Sequence, residues 1–379
     1  MRIALATPAY WPALSFGGPI WVFRALAREL VARGHDVDVF TTTLVELGLR
    51  PSARTRTAEI DGARVHYVGT PAHYRWMGIA PAIPATLERR GPDVLHVFGY
   101  RDFVGTTAAA WARLRRVPYV FEPLGMFEPK LRKVGLKRVL DATVYRGVAT
   151  SARTCIATSA REREELLAGG VRPERIVIRP NGFPEPFRAR RSDLRELVGL
   201  DASTPLLLSV GRIARGKGLD LVVEALPHLP GVHYAIVGPD GGHGMSAELQ
   251  RLRDRLGVAD RVHVLGAFGP EPPLALYGGA DVSVLASRHE NFGMVAAEAA
   301  AAGTASLLTD RCGIADLLRD RGALVVPYDR DAVRAGLERL LADNDLRRSL
   351  GAGGQQVARE YSWARVAELQ EHIYVTARD

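Results

Sequence analysis

The sequence predicts an α/β protein with two doubly wound, mostly parallel sheets. Short apolar segments rich in β-branched residues alternate with amphipathic helical segments, and this alternation is interrupted once and then resumes. At 379 residues the chain is too long for one ordinary hydrophobic core and suits two domains of average size.

The first series of alternating segments has the pattern of a parallel sheet with a covering helix. PIWVFRALARELVARG is predicted to be that helix, because its apolar residues recur three and four positions apart and it ends at Gly34. At residues 175–191 the alternation gives way to Pro, Gly and Arg, which predicts the linker between domains. The predicted buried strands are RIALATPA, DVDVFTT, DVLHVFG, PYVFEPL and TCIATS.

The second series predicts another parallel sheet, and together the two imply two Rossmann-like domains. The final segment, SWARVAELQEHIYVTA, is an amphipathic helix that we expect to cross back to the first domain. The predicted domains are residues 1–183, with 360–379 packed on them, and residues 184–359. The predicted strands of the second series are PLLLSVGR, HYAIVG, RVHVLG, DVSVLAS, TASLLTD and GALVVP.

Bulk composition indicates a globular protein without a membrane span. Hydrophobic residues make up 47% of the chain and charged residues 24%. No apolar run reaches the roughly 18–20 residues that cross a bilayer. The start, MRIALATPAYWP, lacks the features of a secretory signal, so we expect a cytoplasmic protein. Cys155 and Cys312 have no metal-ligand spacing and are expected to be structural thiols.

The net charge of +8 favours anionic partners, and its distribution is uneven. The basic residues are dispersed and lack interleaved aromatics, which argues against nucleic-acid binding. Only four of the 50 basic residues are lysines. Lys130, Lys133 and Lys137 have helical spacings and would share one face. That face would either contact an anionic membrane surface, making the protein peripheral, or remain a solvated charged face.

The fourth lysine lies in the loop GRIARGKG, residues 211–218, between a predicted strand and a predicted helix. Backbone N–H groups and the positive end of a helix favour an anion there. Arg212 and Lys217 add two cations, five positions apart. The spacing fits neither the Walker phosphate loop nor the dinucleotide fingerprint. We predict an anion site here, the alternative being a solvated basic turn.

A second loop, SRHENFGMVAAEAAAAG at residues 287–303, carries two carboxylates. Glu290 follows a predicted strand, and Glu298 lies inside a helix that ends at Gly303. Carboxylates accept hydrogen bonds from paired hydroxyls of a sugar or ribose and repel phosphate. Either glutamate alone would more often be a helix-end or surface charge. With the cationic loop, they predict a ligand site.

These motifs resemble those of the family 4 glycosyltransferases, the large retaining "group 1" family with the GT-B fold. The resemblance covers nearly the whole chain. FGGPIWVFRALARELVARGHDVDVFT is similar to the family's first loop, helix and strand entry, and ATSAREREELLAGGVRPERIVIRPNGF to the end of its first domain. GRIARGKG resembles the diphosphate loop, and ENFGMVAAE the Glu-x7-Glu motif. These last two, in this order, are the specific signal.

The resemblance implies an acceptor-binding first domain and a second domain that binds a nucleotide diphosphate sugar. In the catalytic set, Arg212 and Lys217 would hold the diphosphate and Glu290 would contact the transferred sugar. Glu298 would contact the ribose. The other donor-binding positions implied are Gly17 and Gly18 in the loop that closes over the donor, Gly211 in the diphosphate loop, and the backbone of Phe292, Gly293 and Met294.

One position departs from the family pattern. PYVFEPLGMFEP has Leu124 where many members carry His or Arg before Gly-Met. His96 matches a different family histidine at the end of a strand, and a buried structural role is as well supported for it as a catalytic one. His289 is adjacent to the motif and is interpreted as a loop residue. No histidine is therefore assigned as catalytic.

The implied reaction is retaining transfer of a sugar to a hydroxyl of a cell-surface glycan, a glycolipid or a lipid-linked intermediate. The leaving nucleoside diphosphate gathers negative charge, which fixed cations would stabilise without a metal or another cofactor. Alternatives are an epimerase of the same fold and a non-catalytic nucleotide-sugar binding protein. A sugar phosphorylase would need a second lysine for pyridoxal phosphate in the second domain, where only Lys217 occurs. The donor, the acceptor, the linkage and the oligomeric state stay open.

Overall fold

The structure, a computed structural model, describes residues 1–46, 48–128, 141, 145–187, 192–242, 244–268 and 273–379. Lys130, Lys133 and Lys137, which carry the predicted membrane-facing surface, lie outside the described residues. Contacts divide the chain into two compact units. Unit 1 is Met1–Asn181 with Trp363–Asp379, and unit 2 is Gly182–Ser362. These divisions fall within three residues of the predicted boundaries.

Unit 1 is built on an eight-stranded sheet in the order β10, β9, β8, β7, β1, β2, β4, β3, in which β3 alone is antiparallel to its neighbour. A separate two-stranded hairpin contains β5 and β6. The strands are β1 Arg2–Ala6, β2 Asp36–Thr42, β3 Arg56–Ile60, β4 Ala63–Val68, β5 Ala72–Tyr74, β6 Met77–Ile79, β7 Val94–Phe98, β8 Tyr119–Glu122, β9 Thr154–Ala157 and β10 Ile176–Ile178.

The five strands predicted for the first series are confirmed, and the sheet also contains strands that the pattern did not predict. β10 lies inside the segment predicted as a linker, so the linker prediction was wrong at its start. β3 and β10 are the two edge strands, and most of their residues are exposed or half-buried. An edge strand with little buried surface lacks the apolar run by which a central strand is recognised.

Two of the described helices of unit 1 begin at side-chain caps. Asp102 accepts a hydrogen bond from the backbone N–H of Gly105 at 2.7 Å, and Ser159 accepts one from that of Glu162 at 3.2 Å. None of the helices in the described part of the chain is long and apolar enough to cross a bilayer. The helices are α1 Pro19–Ala32, α2 Ile83–Arg90, α3 Phe103–Arg115, α4 Arg146–Thr150, α5 Ala160–Ala168 and, at the end of the chain, α13 Trp363–Arg378.

Unit 2 contains a parallel six-stranded sheet in the order β13, β12, β11, β14, β15, β16. All six strands predicted for the second series are confirmed. They are β11 Leu206–Val210, β12 His233–Val237, β13 Val262–Gly266, β14 Val282–Leu285, β15 Ser306–Thr309 and β16 Ala323–Val326. The helices are α6 Ser192–Val198, α7 Leu219–Ala225, α8 Met245–Arg255, α9 Met294–Ala302, α10 Ala315–Leu318, α11 Arg330–Ala342 and α12 Asn344–Glu360.

The C-terminal helix α13 belongs to unit 1, as the sequence predicts. Its buried Tyr374 lies with the hydroxyl 2.7 Å from Nδ1 of His96, on β7. Nε2 of His96 lies 3.5 Å from Glu122 on β8, and Glu122 is in turn paired with Arg179, just beyond β10. We call these four residues the buried quartet. All are essentially inaccessible to solvent, so the last helix joins the core of the first unit.

Candidate active site

The topology of the second sheet places two loops at one point of its carboxyl edge. From β11 the chain proceeds through β12 and β13 on one side, whereas β14, β15 and β16 lie on the other. The loops after β11 and β14 therefore diverge from adjacent strands. Such a topological switch point forms the crevice in which doubly wound sheets bind ligands. The two motifs singled out in the sequence, at 211–218 and 287–293, are these two loops.

The cationic loop is held by backbone hydrogen bonds on both sides. The N–H of Gly211 donates to Val237 O at 2.8 Å, and the N–H of Ile213 donates to Pro239 O at 2.9 Å. On the other side, the N–H of Arg288 donates to Gly216 O at 2.8 Å. The loop is thus hydrogen-bonded to the ends of both neighbouring strands, β12 and β14. These bonds fix the backbone positions from which its side chains extend.

Gly218 allows the two loops to approach closely. Its φ is +69°, and a Cβ at this position would lie 1.9 Å from the carbonyl oxygen of Ala286. Any larger residue would push the loops apart. Helix α7 begins immediately afterwards at Leu219, as predicted, but has only seven residues. Because the charge at a helix end comes from aligned peptide dipoles, so short a helix leaves more of the anion attraction to the cationic side chains.

Glu290 is positioned by the loop after β15. Its N–H donates to Arg311 O at 3.2 Å, and its carbonyl oxygen accepts from the N–H of Gly313 at 3.1 Å. The N–H of Ile314 donates to Phe292 O at 2.8 Å. Three adjacent strand ends, those of β11, β14 and β15, therefore build one continuous backbone network beneath the side chains of the site.

An ion pair joins side chains of the two motifs. Nζ of Lys217 lies 2.6 Å from Oε2 of Glu290. The lysine side chain is 33% exposed and the glutamate side chain 20%, so the pair is open to a ligand and still shielded from bulk water. The arrangement brings a cation and a hydrogen-bond acceptor within reach of one bound molecule.

Arg212 and Gly211 lie at the start of the same loop. Arg212 is exposed, and no carboxylate in the described part of the chain lies within ion-pair distance of its guanidinium. Gly211 has a φ of +131°, and a Cβ there would meet nothing within 4 Å. The predicted diphosphate residues thus share one loop, with an uncompensated positive charge beside open space.

Helix α9 follows the second loop and carries Glu298. Gly293 precedes the helix with a φ of +110°, and its carbonyl oxygen accepts from the N–H of Ala296 at 2.9 Å. The N–H groups of the first two helical residues, starting at Met294, have no partner within the helix. Glu298 is buried, and its Oε2 accepts a hydrogen bond from the hydroxyl of Tyr277 at 2.7 Å. Burial raises the pKa of Glu298 to about 7, although the Tyr277 hydrogen bond opposes this.

Tyr277 is a site residue that sequence reasoning missed. It lies in the short 3-10 helix Leu274–Gly279, and its backbone carbonyl also accepts from the hydroxyl of Thr304 at 2.9 Å. The preceding residues LAL and the glycines after it resemble an ordinary turn before β14. A tyrosine hydroxyl that is buried requires a hydrogen-bond partner. The tyrosine itself, just before a predicted buried strand, is therefore the sequence signal that could have indicated a polar contact here.

The remaining predicted positions belong to unit 1. Gly17 and Gly18 lie between β1 and α1, at the carboxyl end of β1, and Gly17 has a φ of +82°. Leu124 has a φ of +56°, which is unusual for a leucine. His96 is wholly buried in the quartet and stacks on Phe98 with ring centroids 3.8 Å apart, so the structure places it in the core. His289 is exposed.

Other candidate groups for chemistry have different partners. Three Asp-x-Asp triplets, a common metal-binding pattern, occur at 36–38, 329–331 and 343–345. Asp329 caps α11. Asp38 is paired with His66 and Arg90, and Asp343 caps α12. Within the described ranges, no cluster of three or more His, Cys, Asp or Glu could hold a metal ion.

The two cysteines are buried and free. Burial raises the pKa of the Cys155 thiol to about 12 and that of Cys312 to about 11, so both are neutral thiols near pH 7. These properties fit the structural role expected from the sequence.

Two family models match this chain, one in each unit. The model described as Glycosyl transferase 4-like domain matches residues 17–182, and the model described as Glycosyl transferases group 1 matches residues 191–357. The second match contains both loops of the site. Together the two models cover the ranges in which the sequence motifs occur.

Known proteins agree with these matches. The D-inositol 3-phosphate glycosyltransferase of Thermomonospora curvata is 33% identical over 400 residues, covering 93% of this chain and 89% of that protein. Sucrose-phosphate synthase from Thermosynechococcus elongatus has a TM-score of 0.77 at 24% identity, covering 99% of this chain and 98% of that one. HepE from Anabaena, in complex with UDP, has a TM-score of 0.77 at 17% identity, covering 99% and 100%. The chain therefore belongs to the group 1 glycosyltransferases, family 4, and has their GT-B fold.

Proposed function

We propose that this glycosyltransferase moves a sugar, with retention of configuration, from a nucleoside diphosphate sugar to a hydroxyl of a glycan, a glycolipid or a lipid-linked intermediate. The observation that carries the proposal is the 2.6 Å contact between Lys217 and Glu290 at the switch point. A nucleotide sugar presents a diphosphate next to sugar hydroxyls, and such a ligand needs a cation and an acceptor side by side. HepE, which shares this fold, has been solved with UDP and with UDP-glucose.

The geometry supports a distribution of roles along the donor. Arg212 and Lys217 would bind the diphosphate, and Glu290 would accept hydrogen bonds from the transferred sugar. Glu298, on the other flank, would bind the ribose. The open space beside Gly211 and the unpartnered N–H groups at the start of α9, near Phe292, Gly293 and Met294, would lie along the phosphates.

Catalysis would then depend on charge at the leaving group. When the bond between the anomeric carbon and the diphosphate oxygen breaks, negative charge grows on that oxygen. Lys217 and Arg212 stabilise this charge more strongly than the charge of the intact donor, which lowers the barrier. We propose that these two cations replace a metal ion, so transfer should continue at an undiminished rate in EDTA.

The test begins with the donor. Thermal-shift measurements against UDP-, GDP-, ADP- and dTDP-sugars should give one donor that raises the melting temperature, because a ligand that binds the folded state stabilises it. With that donor, NMR of the product of a supplied acceptor should show the anomeric configuration of the donor. An inverted product would contradict retention. Donor turnover without any acceptor would favour an epimerase, and binding without release of nucleoside diphosphate would favour a non-catalytic protein.

A further inference from the structure

We propose that the β5–β6 hairpin of unit 1 binds the surface of a membrane that contains anionic lipids. The contact surface consists of Leu49, Arg50, Arg54 and residues 73–76, and we call it the hairpin surface. It is distinct from the segment of Lys130, Lys133 and Lys137. Membrane binding does not depend on sugar transfer, although it would bring a lipid-linked acceptor to unit 1 if the proposed function holds.

The hairpin tip is exposed and aromatic. Residues 71–75 are all exposed in succession, and the Tyr74 side chain is 59% exposed. Trp76, two positions after Tyr74, is half-buried. Tyr and Trp are enriched at membrane–water interfaces because one end of each ring system is apolar and the other can be hydrated. A run of exposed residues at a tip also differs from a pocket for a soluble glycan, which would be concave.

The turn itself departs from the residues that two-residue turns favour. Tyr74 pairs with Met77, so Arg75 and Trp76 form the turn, and Arg75 has a φ of +57°. Only this first turn residue has a positive φ, so a glycine at position 75 would adopt the turn with less strain. Nδ1 of His73 lies 3.1 Å from Arg75 O and donates a hydrogen bond that supports the turn. Residues that are unfavourable for their local backbone conformation occur most often at functional sites.

A second segment extends the surface with the same chemical character. The N–H of Thr70 donates to Ser52 O at 2.8 Å, and the N–H of Gly69 donates to Oγ1 of Thr55 at 2.9 Å. These bonds hold residues 49–55 beside the base of the hairpin. Leu49 in this segment is 55% exposed, so the added area is also partly apolar.

The charge of the surface complements an anionic bilayer. Neither residues 48–58 nor residues 62–87 contain an aspartate or a glutamate. Arg50, Arg54 and Arg75 are exposed, and none of them forms an ion pair with a carboxylate in the described part of the chain. Exposed apolar and aromatic side chains among uncompensated arginines are the composition of a peripheral membrane contact.

The position of the hairpin also suits this role. It follows β4, which is parallel to β1 and β2, so it begins at the carboxyl edge of the sheet in unit 1. The loop of Gly17 and Gly18 leaves β1 at the same edge. A bilayer bound by the hairpin surface would therefore lie at the edge where doubly wound sheets bind their ligands.

Co-sedimentation of the full chain with vesicles tests the proposal, without any donor present. Binding is expected to vesicles of equal parts phosphatidylcholine and phosphatidylglycerol, to weaken with salt, and to be absent with phosphatidylcholine alone. Tyr74→Ala with Trp76→Ala should weaken binding about tenfold. Each of Arg50→Gln, Arg54→Gln and Arg75→Gln should weaken it about fivefold. Leu114→Ala and Arg348→Gln, which are matched in exposure and lie outside the surface, should bind as the unchanged protein does.

Tryptophan quenching by brominated lipid locates the contact directly. The chain has five tryptophans. Trp76→Phe should abolish the quenching, although the other four tryptophans are still present, because only Trp76 lies in the hairpin surface. Absence of vesicle binding, or binding that survives the Tyr74 and Trp76 changes, would overturn the proposal. If the Tyr74 and Trp76 changes leave vesicle binding unchanged but raise the KM for a soluble acceptor, the hairpin is an acceptor contact instead. A chain that binds vesicles but transfers no sugar would contradict only the proposed function.

Discussion

Lys217 and Glu290 are 73 positions apart in the chain, yet their side chains meet at 2.6 Å. In this ion pair each charge offsets the other. A bound nucleotide sugar would exchange this pair for contacts to a phosphate and a hydroxyl. The pair is thus a preorganised polar centre whose members are both satisfied before the ligand arrives.

Lys217→Ala is expected to slow transfer by roughly 10- to 150-fold, because a charge-assisted contact to the leaving diphosphate is worth about 1.5–3 kcal/mol. Steady-state kinetics with the identified donor measure this. Arg215→Ala is the matched control, since Arg215 lies in the same loop and its exposed side chain is paired with Glu248. A rate for Lys217→Ala close to that of the control would remove the lysine from the mechanism.

Glu298, the proposed ribose contact, also affects the stability of the fold through its buried carboxyl group. Burial raises its pKa to about 7, so the folded protein holds this proton more tightly than the unfolded chain does. Stability from this group therefore declines as pH rises from about 4.5 to about 7, and the penalty is complete above pH 7. The ionised carboxylate is the better acceptor for ribose hydroxyls. If Glu298 binds ribose in this form, the buried charge lowers the free energy of unfolding.

Glu298→Gln should consequently have two effects of opposite sign. At pH 8 it should raise the melting temperature by about 2–5 °C, because glutamine does not ionise and can still accept from Tyr277. At pH 4, below the unfolded pKa of about 4.5, the two melting temperatures should agree. Donor affinity at pH 8 should fall. Equal melting temperatures at both pH values would show that Glu298 does not carry a buried charge.

At the scale of elements, the buried quartet joins α13 to strands β7 and β8 and to the end of β10. Burial holds the pKa of His96 below its usual value, against the raising effect of Glu122. The Arg179 guanidinium and His96 lower the pKa of Glu122, against the raising effect of burial. Because an unfolded chain binds a proton at His96 more readily, the stability due to neutral His96 is lost as pH falls below about 6.5.

Tyr374→Phe should lower the free energy of unfolding by about 1–3 kcal/mol, because Nδ1 of His96 is then buried without a partner. Urea unfolding at pH 7 measures the change. Tyr74→Phe, which alters an exposed hydroxyl, is the control and should change stability little. Equal stabilities of the two variants would mean that the quartet does not hold the helix.

At the scale of the whole molecule, the last residues of the chain complete the first unit. α13 buries Val366, Ile373 and Tyr374 in unit 1, although it follows all of unit 2 in sequence. Unit 1 therefore cannot bury its whole core until residues 363–379 are in place.

Deletion of residues 363–379 should destabilise unit 1 selectively. Removing the helix exposes the apolar surface beneath it, at about 25 cal/mol for each Å². Calorimetry should show one early or missing transition and one that is unchanged. Leu369→Ala with Val375→Ala, on the exposed face of the same helix, should leave both transitions in place. A single unchanged transition in the deletion would contradict this account.

The sequence alone determined the class of the fold, five of the eight strands of the first central sheet, all six strands of the second, and the family. Buried parallel strands are continuous apolar runs, and the glycines after β11 and before α9 mark sharp local conformations, so local patterns suffice for them. The sequence also indicated which loops carry charge. It did not reveal β3 and β10, because edge strands bury too little surface to leave an apolar run. It also did not reveal the interior strand β4, where Arg64 and His66 interrupt the apolar run.

Only the tertiary structure decided which of these groups meet. The contact of Lys217 with Glu290 depends on β11 and β14 being neighbours, and the partner of Glu298 depends on how the 3-10 helix at Tyr277 packs against α9. The placement of His96 in the core likewise required the docking of α13. Sheet order and helix docking arise from the burial of many side chains at once, so no local stretch of sequence specifies them.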